Sequence, residues 1–387
     1  MKTRRILATM AGMLLLASSA FAGPTWTFGP EEQGLLKLDY KGQFQLRYRD
    51  DGASPAGDES AMEFNFRRNR IALMGAWGPD FSVYVQTEFN EDNNITPLAV
   101  DNGDESDFQI LDAVFRFRHS PEVNVWVGKF KYNLTRENLE ACEAPLTLDR
   151  SVLIRAPFVS TRDKGVAVWG DLMDGLLQYR VDAMNGRSDA DLSPKSNLRY
   201  SARGHISLLD KETGYGYKGT YLGKKKVLTV GAAYQMENDI AFAGPGEAID
   251  YSAWTADLFF EMPVAALGTF TFSTAYTDYD LDDAYQGAAP DAGALGFNGE
   301  KNGSYVKGGY MFPNLPLQIF GRYENWSFAQ LDGVNDQEVD WIGAGFNWYF
   351  RNQDLKLTVE YSTVEFDKAS ASFEDFDSLV AQLQVIF

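Results

Sequence analysis

Within residues 35–49, LLKLDYKGQFQLRYR, apolar and polar residues alternate at every position from Leu36 on. Leu36, Leu38, Tyr40, Gly42, Phe44, Leu46 and Tyr48 fall on one side, and Lys37, Asp39, Lys41, Gln43, Gln45, Arg47 and Arg49 on the other. Successive side chains of a strand point to opposite faces, so this two-residue period is a strand's; a helix would mix the two sets. The pattern returns in residues 198–208, in residues 355–361 and at the end of the chain. There Leu379, Ala381, Leu383, Val385 and Phe387 oppose Gln382 and Gln384. Sixteen such segments are predicted, near 35–49, 63–77, 81–90, 108–118, 123–132, 162–170, 176–185, 198–208, 227–236, 251–261, 269–278, 304–312, 317–327, 339–350, 355–365 and 377–387.

The connections separate a closed barrel from a soluble sandwich. Short ones are GPD (78–80), HSPE (119–122), DLMDG (171–175), PNLP (313–316) and RNQD (351–354). Long ones are 50–60, 91–106, 133–161 and 279–303. Short turns at one end and long loops at the other describe an up-and-down barrel. About 9–11 tilted residues cross a bilayer, which matches most segments. Trp77, Phe81, Phe260, Phe312, Trp348, Phe350 and Phe387 fall at the short-turn end of the apolar face, as an aromatic girdle would. Residues 209–226 break the rule, because a short turn is expected there.

Residues 1–22 carry Lys2, Arg4 and Arg5, then an apolar run, then Ala20-Phe21-Ala22. That is a secretory leader, leaving 23–387 as the mature barrel. The formal net charge is −19 and becomes more negative without the leader, which opposes nucleic-acid binding. The single cysteine, Cys142, has no internal disulfide partner.

The catalytic and ligand motifs are weak. GYGYKG (214–219) has dinucleotide-loop spacing but no helix after it, so a flexible connection is expected. Asp278, Asp280, Asp282 and Asp283 lack the glycine and distal glutamate of a calcium loop. His119 and His205 are far apart. No catalytic residue, metal or cofactor is expected.

Basic residues inside the strand segments are the sharper signal. Arg68 and Arg70 share a face, as do Arg116 and Arg118. A lysine or arginine facing lipid costs roughly 2–4 kcal/mol at the bilayer midplane, so these side chains are expected in the lumen. The predicted basic lining is Arg47, Arg49, Arg68, Arg70, Arg116, Arg118, Lys129, Lys131, Arg180, Arg199 and Arg203, with Lys37 and Lys41 at one end. Few acids share these faces: Asp39, Glu88, Asp112 and Asp182. In the later strands Lys307, Arg322 and Lys356 are offset by Asp257, Glu324 and Glu360.

From 127–140 (VGKFKYNLTRENLE) through 148–170 (LDRSVLIRAPFVSTRDKGVAVWG) the sequence resembles the phosphate-selective porin O and P family of Gram-negative outer membranes. The motifs are G-x-F-K (Gly128, Lys129, Phe130, Lys131), the pair Arg136-Glu137, and the step Asp149-Arg150-Ser151. A turn, Arg162-Asp163-Lys164-Gly165, follows without the family's first glycine. The resemblance implies a trimeric, sixteen-stranded, water-filled channel for small anions. It implies a third loop, near 133–161, folded inward with Arg136, Glu137, Asp149, Arg150 and Arg155 at the constriction. Leu139, Leu146, Leu148 and Ile154 in that loop need apolar partners.

The expected partners are outer-membrane lipid, two further copies of the chain, small inorganic or organic anions, and the assembly machinery that reads a last strand ending at Phe387. The alternative is a wide sleeve for an electron-transfer cytochrome, which should lack a constricting loop.

Overall fold

The computed structural model describes residues 23–53, 59–89, 108–187, 195, 197–282, 284, 299–329, 336–368 and 374–387. The proposed leader, residue 283 of the acidic run and much of several long loops lie outside them.

Among the described residues seventeen strands form, β1 (Thr25–Phe28), β2 (Gly34–Ala53), β3 (Glu59–Trp77), β4 (Phe81–Phe89), β5 (Phe108–Ser120), β6 (Val123–Phe130), β7 (Asp163–Leu172), β8 (Leu177–Met184), β9 (Arg199–Ser207), β10 (Val227–Gly244), β11 (Glu247–Val264), β12 (Gly268–Asp280), β13 (Lys301–Met311), β14 (Leu317–Ala329), β15 (Asp336–Arg351), β16 (Leu355–Phe366) and β17 (Phe376–Ile386). Each strand from β2 to β17 pairs antiparallel with the next, and β17 closes on β2 through the register Ser378↔Arg49 to Ile386↔Lys41. The result is a closed sixteen-stranded antiparallel barrel. Closure leaves no unpaired edge, which is the condition for spanning lipid with strands. The short β1 lies outside the ring, paired with the start of β2.

The pleat sorts the two faces as the alternation requires. Gln43, Gln45, Gln382 and Gln384 are buried inside, while Leu379, Leu383 and Tyr361 are exposed outside. Gln43 and Gln384 meet across the closing seam at 2.7 Å, as do Gln45 and Gln382 at 2.8 Å. Phe387 shares two backbone hydrogen bonds with Tyr40 and packs on its ring at 5.1 Å. Trp77, Phe81 and Phe350 stand exposed near the same end, with Phe28 of β1 beside Trp77 at 6.0 Å.

The run FNFRRNR shows where simple alternation needs a correction. Phe64, Phe66, Arg68 and Arg70 share one parity, yet the two aromatics face out and the two arginines face in. A β-bulge opposite Gln43 and Phe44 absorbs the extra residue, so the parity reverses between Phe66 and Arg68. It also turns Arg67 inward, to Asp149.

Candidate functional site: the lumen and its two inserted segments

Residues 133–161 lie inside the barrel. Thr135 caps a single helical turn, α1 (Arg136–Leu139), its hydroxyl accepting from the Asn138 amide at 3.0 Å. The chain then crosses to the opposite wall. Lys307 on β13 pairs with Glu137 at 2.7 Å, and the Ser151 hydroxyl donates to Glu324 on β14 at 2.7 Å. Asn347 on β15 donates to the Leu146 carbonyl at 2.8 Å, and Glu360 on β16 accepts from the Leu148 amide at 2.8 Å. Apolar contacts complete the attachment. Val152 and Leu153 pack against Trp326, Phe328, Trp341 and Phe376, all of them inward-facing. Leu139, Leu146, Leu148 and Ile154 are all buried.

The segment 208–226 enters from the short-turn end, where a flexible connection was expected. Its backbone runs parallel to the loop's. Ala141 donates to the Tyr217 carbonyl at 2.9 Å, Tyr217 to Leu139 at 3.3 Å, and Gly219 to Ala144 at 2.9 Å. Arg136 fixes the junction. Its guanidinium meets Glu212 in two parallel hydrogen bonds, 2.9 and 2.7 Å, and lies over the rings of Tyr217 and Phe259. Burial pushes the Glu212 carboxyl up, but Arg136 outweighs it and holds that group at about 2. The Tyr217 hydroxyl is 2.7 Å from His205 Nδ1 and accepts from Arg203 at 3.2 Å.

The predicted basic lining divides into three groups. The first is paired: Arg47 with Glu63, Arg49 with Asp51, Arg68 with Asp149, Arg70 with Glu88, Arg199 with Glu237 and Arg203 with Asp257. The near-unopposed basic wall predicted for the first strands is therefore corrected. Some of the missing carboxylates come from the inserted loop, which a strand-by-strand reading cannot place: Asp149 on Arg68 and Glu143 on Lys41. Arg150 lies in this environment too, donating to the Glu137 and Asn138 carbonyls.

The second group has no described carboxylate within ion-pair distance. Arg116 lies over Tyr84 at 4.8 Å and Trp126 at 4.3 Å, and its Nε has no partner. Arg180 lies over Tyr215 and Tyr217, with Nε and Nη1 unpartnered. The Lys356 ammonium is buried without a partner, while Arg118 and Arg155 are exposed at opposite ends of the lumen. Lys131 donates to the Glu140 carbonyl at 2.6 Å and stands 3.8 Å from the Cys142 sulfur.

Lys129 is the third group and a second correction. It stands in register with Ala113 and Lys164, on the outward face with Val127. Trp126 and Gly128 take the inward positions of β6. Lys129 lies at the strand end, where the cost of facing lipid falls to about 0–1 kcal/mol, and it donates to the Ile110 carbonyl at 2.8 Å.

Sequence reasoning missed the lumen aromatics Tyr84, Trp126, Trp169, Tyr215 and Tyr217, because it assigned aromatics to the girdle alone. The available signal was the forbidden length of 209–226 combined with its tyrosines.

A closed strand barrel, apolar outside and charged within, defines a membrane pore. The family model for phosphate-selective porin O and P matches residues 38–387, and this chain belongs to that family. It is an outer-membrane porin. Among solved structures it resembles the anion-selective porin from Comamonas acidovorans (10% identity, TM-score 0.58, covering 92% of this chain and 100% of that one). It also resembles Salmonella typhi OmpF in complex with daunomycin (14%, 0.56, 92% and 98%). A third is Vibrio cholerae OmpT in its trimer form (12%, 0.52, 92% and 99%). At such identities the likeness is one of fold. No curated protein is similar enough to count as a match.

Proposed function

We propose that the chain is an anion-preferring diffusion channel that works as a homotrimer, with 133–161 as its constriction and a range of small anions, phosphate among them, as its solutes. The observation that carries this reading is an asymmetry among the lumen charges. Most lumen acids are capped: Glu88, Glu237 and Asp257 each by a guanidinium group, Glu324 and Glu360 by the shared Arg322, and Glu261 by the amides of Tyr221 and Gly223, while Asp182 and Glu140 have no ion-pair partner among the described residues. Against them stand Arg116, Arg118, Arg155 and Arg180, none with a described ion-pair partner.

An ion entering the pore meets the residual field, and on this reading the four unpaired arginines make that residue positive at the constriction and the periplasmic mouth. Charges in open loops are screened within about 8 Å at physiological ionic strength. Charges in a narrow lumen with low-dielectric walls are focused and screened less. The negative net charge of the chain therefore does not set selectivity; the sign at the constriction does. Membership of a family described as phosphate-selective and the fold of an anion-selective porin support the reading. The trimeric OmpT fold supports the assembly. The inserted loop disfavours the cytochrome sleeve, which needs an open lumen.

Changing Arg116, Arg118, Arg155 and Arg180 together to Gln tests it. The reversal potential in a potassium chloride gradient should move toward potassium. An unmoved value from a correctly folded channel would show that these residues do not set the sign.

A further inference from the structure

A cavity of about 500 Å³ opens at the periplasmic end of the lumen, between the β3–β7 wall and the inserted turn. Its lining combines two chemistries. Arg116 and Arg118 bring positive charge with no described ion-pair partner, and Asn124 adds a side-chain amide. Met74, Trp126 and Trp169 bring apolar surface. Thr213 and Gly214 of the inward-folded turn form one side.

The geometry points to a binding site for organic carboxylates that carry an aromatic or other apolar body. This rests on the anion-channel reading and names a solute class for the periplasmic end of that channel. Three observations favour it over a site for inorganic anions. First, aromatic rings cover the Arg116 guanidinium, so its in-plane N–H edge is what remains to donate, and that edge matches a carboxylate. Second, Trp169 is only 8% exposed, and its indole N–H has no acceptor. A buried unpaired donor costs free energy until something accepts from it, and a bound carboxylate oxygen would do so. Third, the apolar half of the lining has nothing to gain from phosphate, which would leave it wet. A ring lying against Trp126 and Met74 would cover it, and the volume suits a small organic molecule. Two acids border the cavity. Asp171 is engaged by Gln178 at 2.5 Å, and Asp80 sits exposed in the turn at the rim.

The test measures block of the potassium chloride current through the reconstituted channel. Benzoate, acetate, inorganic phosphate and benzyl alcohol are added in turn to either side. Benzoate should half-block at a concentration about tenfold below acetate, the value of a partly buried ring. Phosphate should resemble acetate, and benzyl alcohol should not block. Changing both Arg116→Gln and Arg118→Gln should abolish the benzoate effect. Trp169→Phe, which keeps a ring and loses the donor, should weaken it about threefold. If the channel prefers chloride yet benzoate blocks no better than acetate or phosphate, this site is refuted while the channel reading stands. A channel that prefers potassium refutes the reading beneath it. Both comparisons use the unmodified protein, so a variant that fails to fold does not protect the proposal.

Discussion

The 133–161 loop and the 208–226 turn meet inside the barrel, but they are built differently. The loop enters from the extracellular end and is bonded to wall after wall, from Lys41 on β2 to Glu360 on β16. Its apolar side chains sit in pockets made by inward-facing tryptophans and phenylalanines. The turn enters from the periplasmic end and is held by the backbone pairing with the loop, by Arg136 on Glu212, and by fewer wall contacts of its own, Gln178 and Arg180 on the Gly214 carbonyl and Glu261 on the Tyr221 and Gly223 amides. The lesson is one of dependence. The loop's anchors span the barrel from β2 to β16, whereas the turn's tip at Tyr217 to Gly219 leans on the loop, so damage to the turn should leave the loop in place more than the converse.

Deleting about ten residues around Cys142 should have the largest effect. It removes the crossing and the turn's partner together, and single-channel conductance should rise several-fold. A correctly folded deletion with unchanged conductance would contradict both the constriction and the dependence. Replacing 208–226 with a four-residue turn like 313–316 should raise conductance less, because the loop's contacts with β13–β16 survive. An equal or larger rise would reverse the comparison. Arg136→Ala should act at the junction alone. It leaves Glu212 buried without its cation, a loss of about 3–5 kcal/mol locally. Limited proteolysis should then cut within 208–226 before it cuts 133–161. Tyr217→Phe should be mildest, costing about 1 kcal/mol for its hydroxyl contacts, with conductance near the wild-type value. A large conductance change there would mean that the turn, not the loop, sets the bore.

The barrel was legible because lipid enforces its pattern. A lysine or arginine on the wrong face is costly, so Arg180, Arg199 and Arg203 declare the inward face of β8 and β9. Where the enforcement weakens, the reading weakens with it. Lys129 lies near the end of β6, where facing outward costs little, and alternation alone misplaced it. The bulge at Arg67 is a backbone event that the residue pattern shows only as conflicting parity.

The site was less legible for a different reason. Pairing in the lumen is long-range: Asp149 reaches Arg68 across 81 residues, and Glu137 reaches Lys307 across 170. Local periodicity carries no information on such partners. The turn 208–226 was visible only as a broken rule of length. Its Tyr215 and Tyr217 could have been read as buried, since two tyrosines among glycines in a connection have little reason to stay in water.

If a few unpaired lumen arginines outweigh a strongly negative chain, chloride should cross more readily than potassium. The zero-current potential of the unmodified channel, in a planar bilayer separating concentrated from dilute potassium chloride, measures this. It should carry the sign for chloride preference, and the preference should shrink as salt rises and lumen charges are screened. A sign for potassium preference at low salt would contradict it.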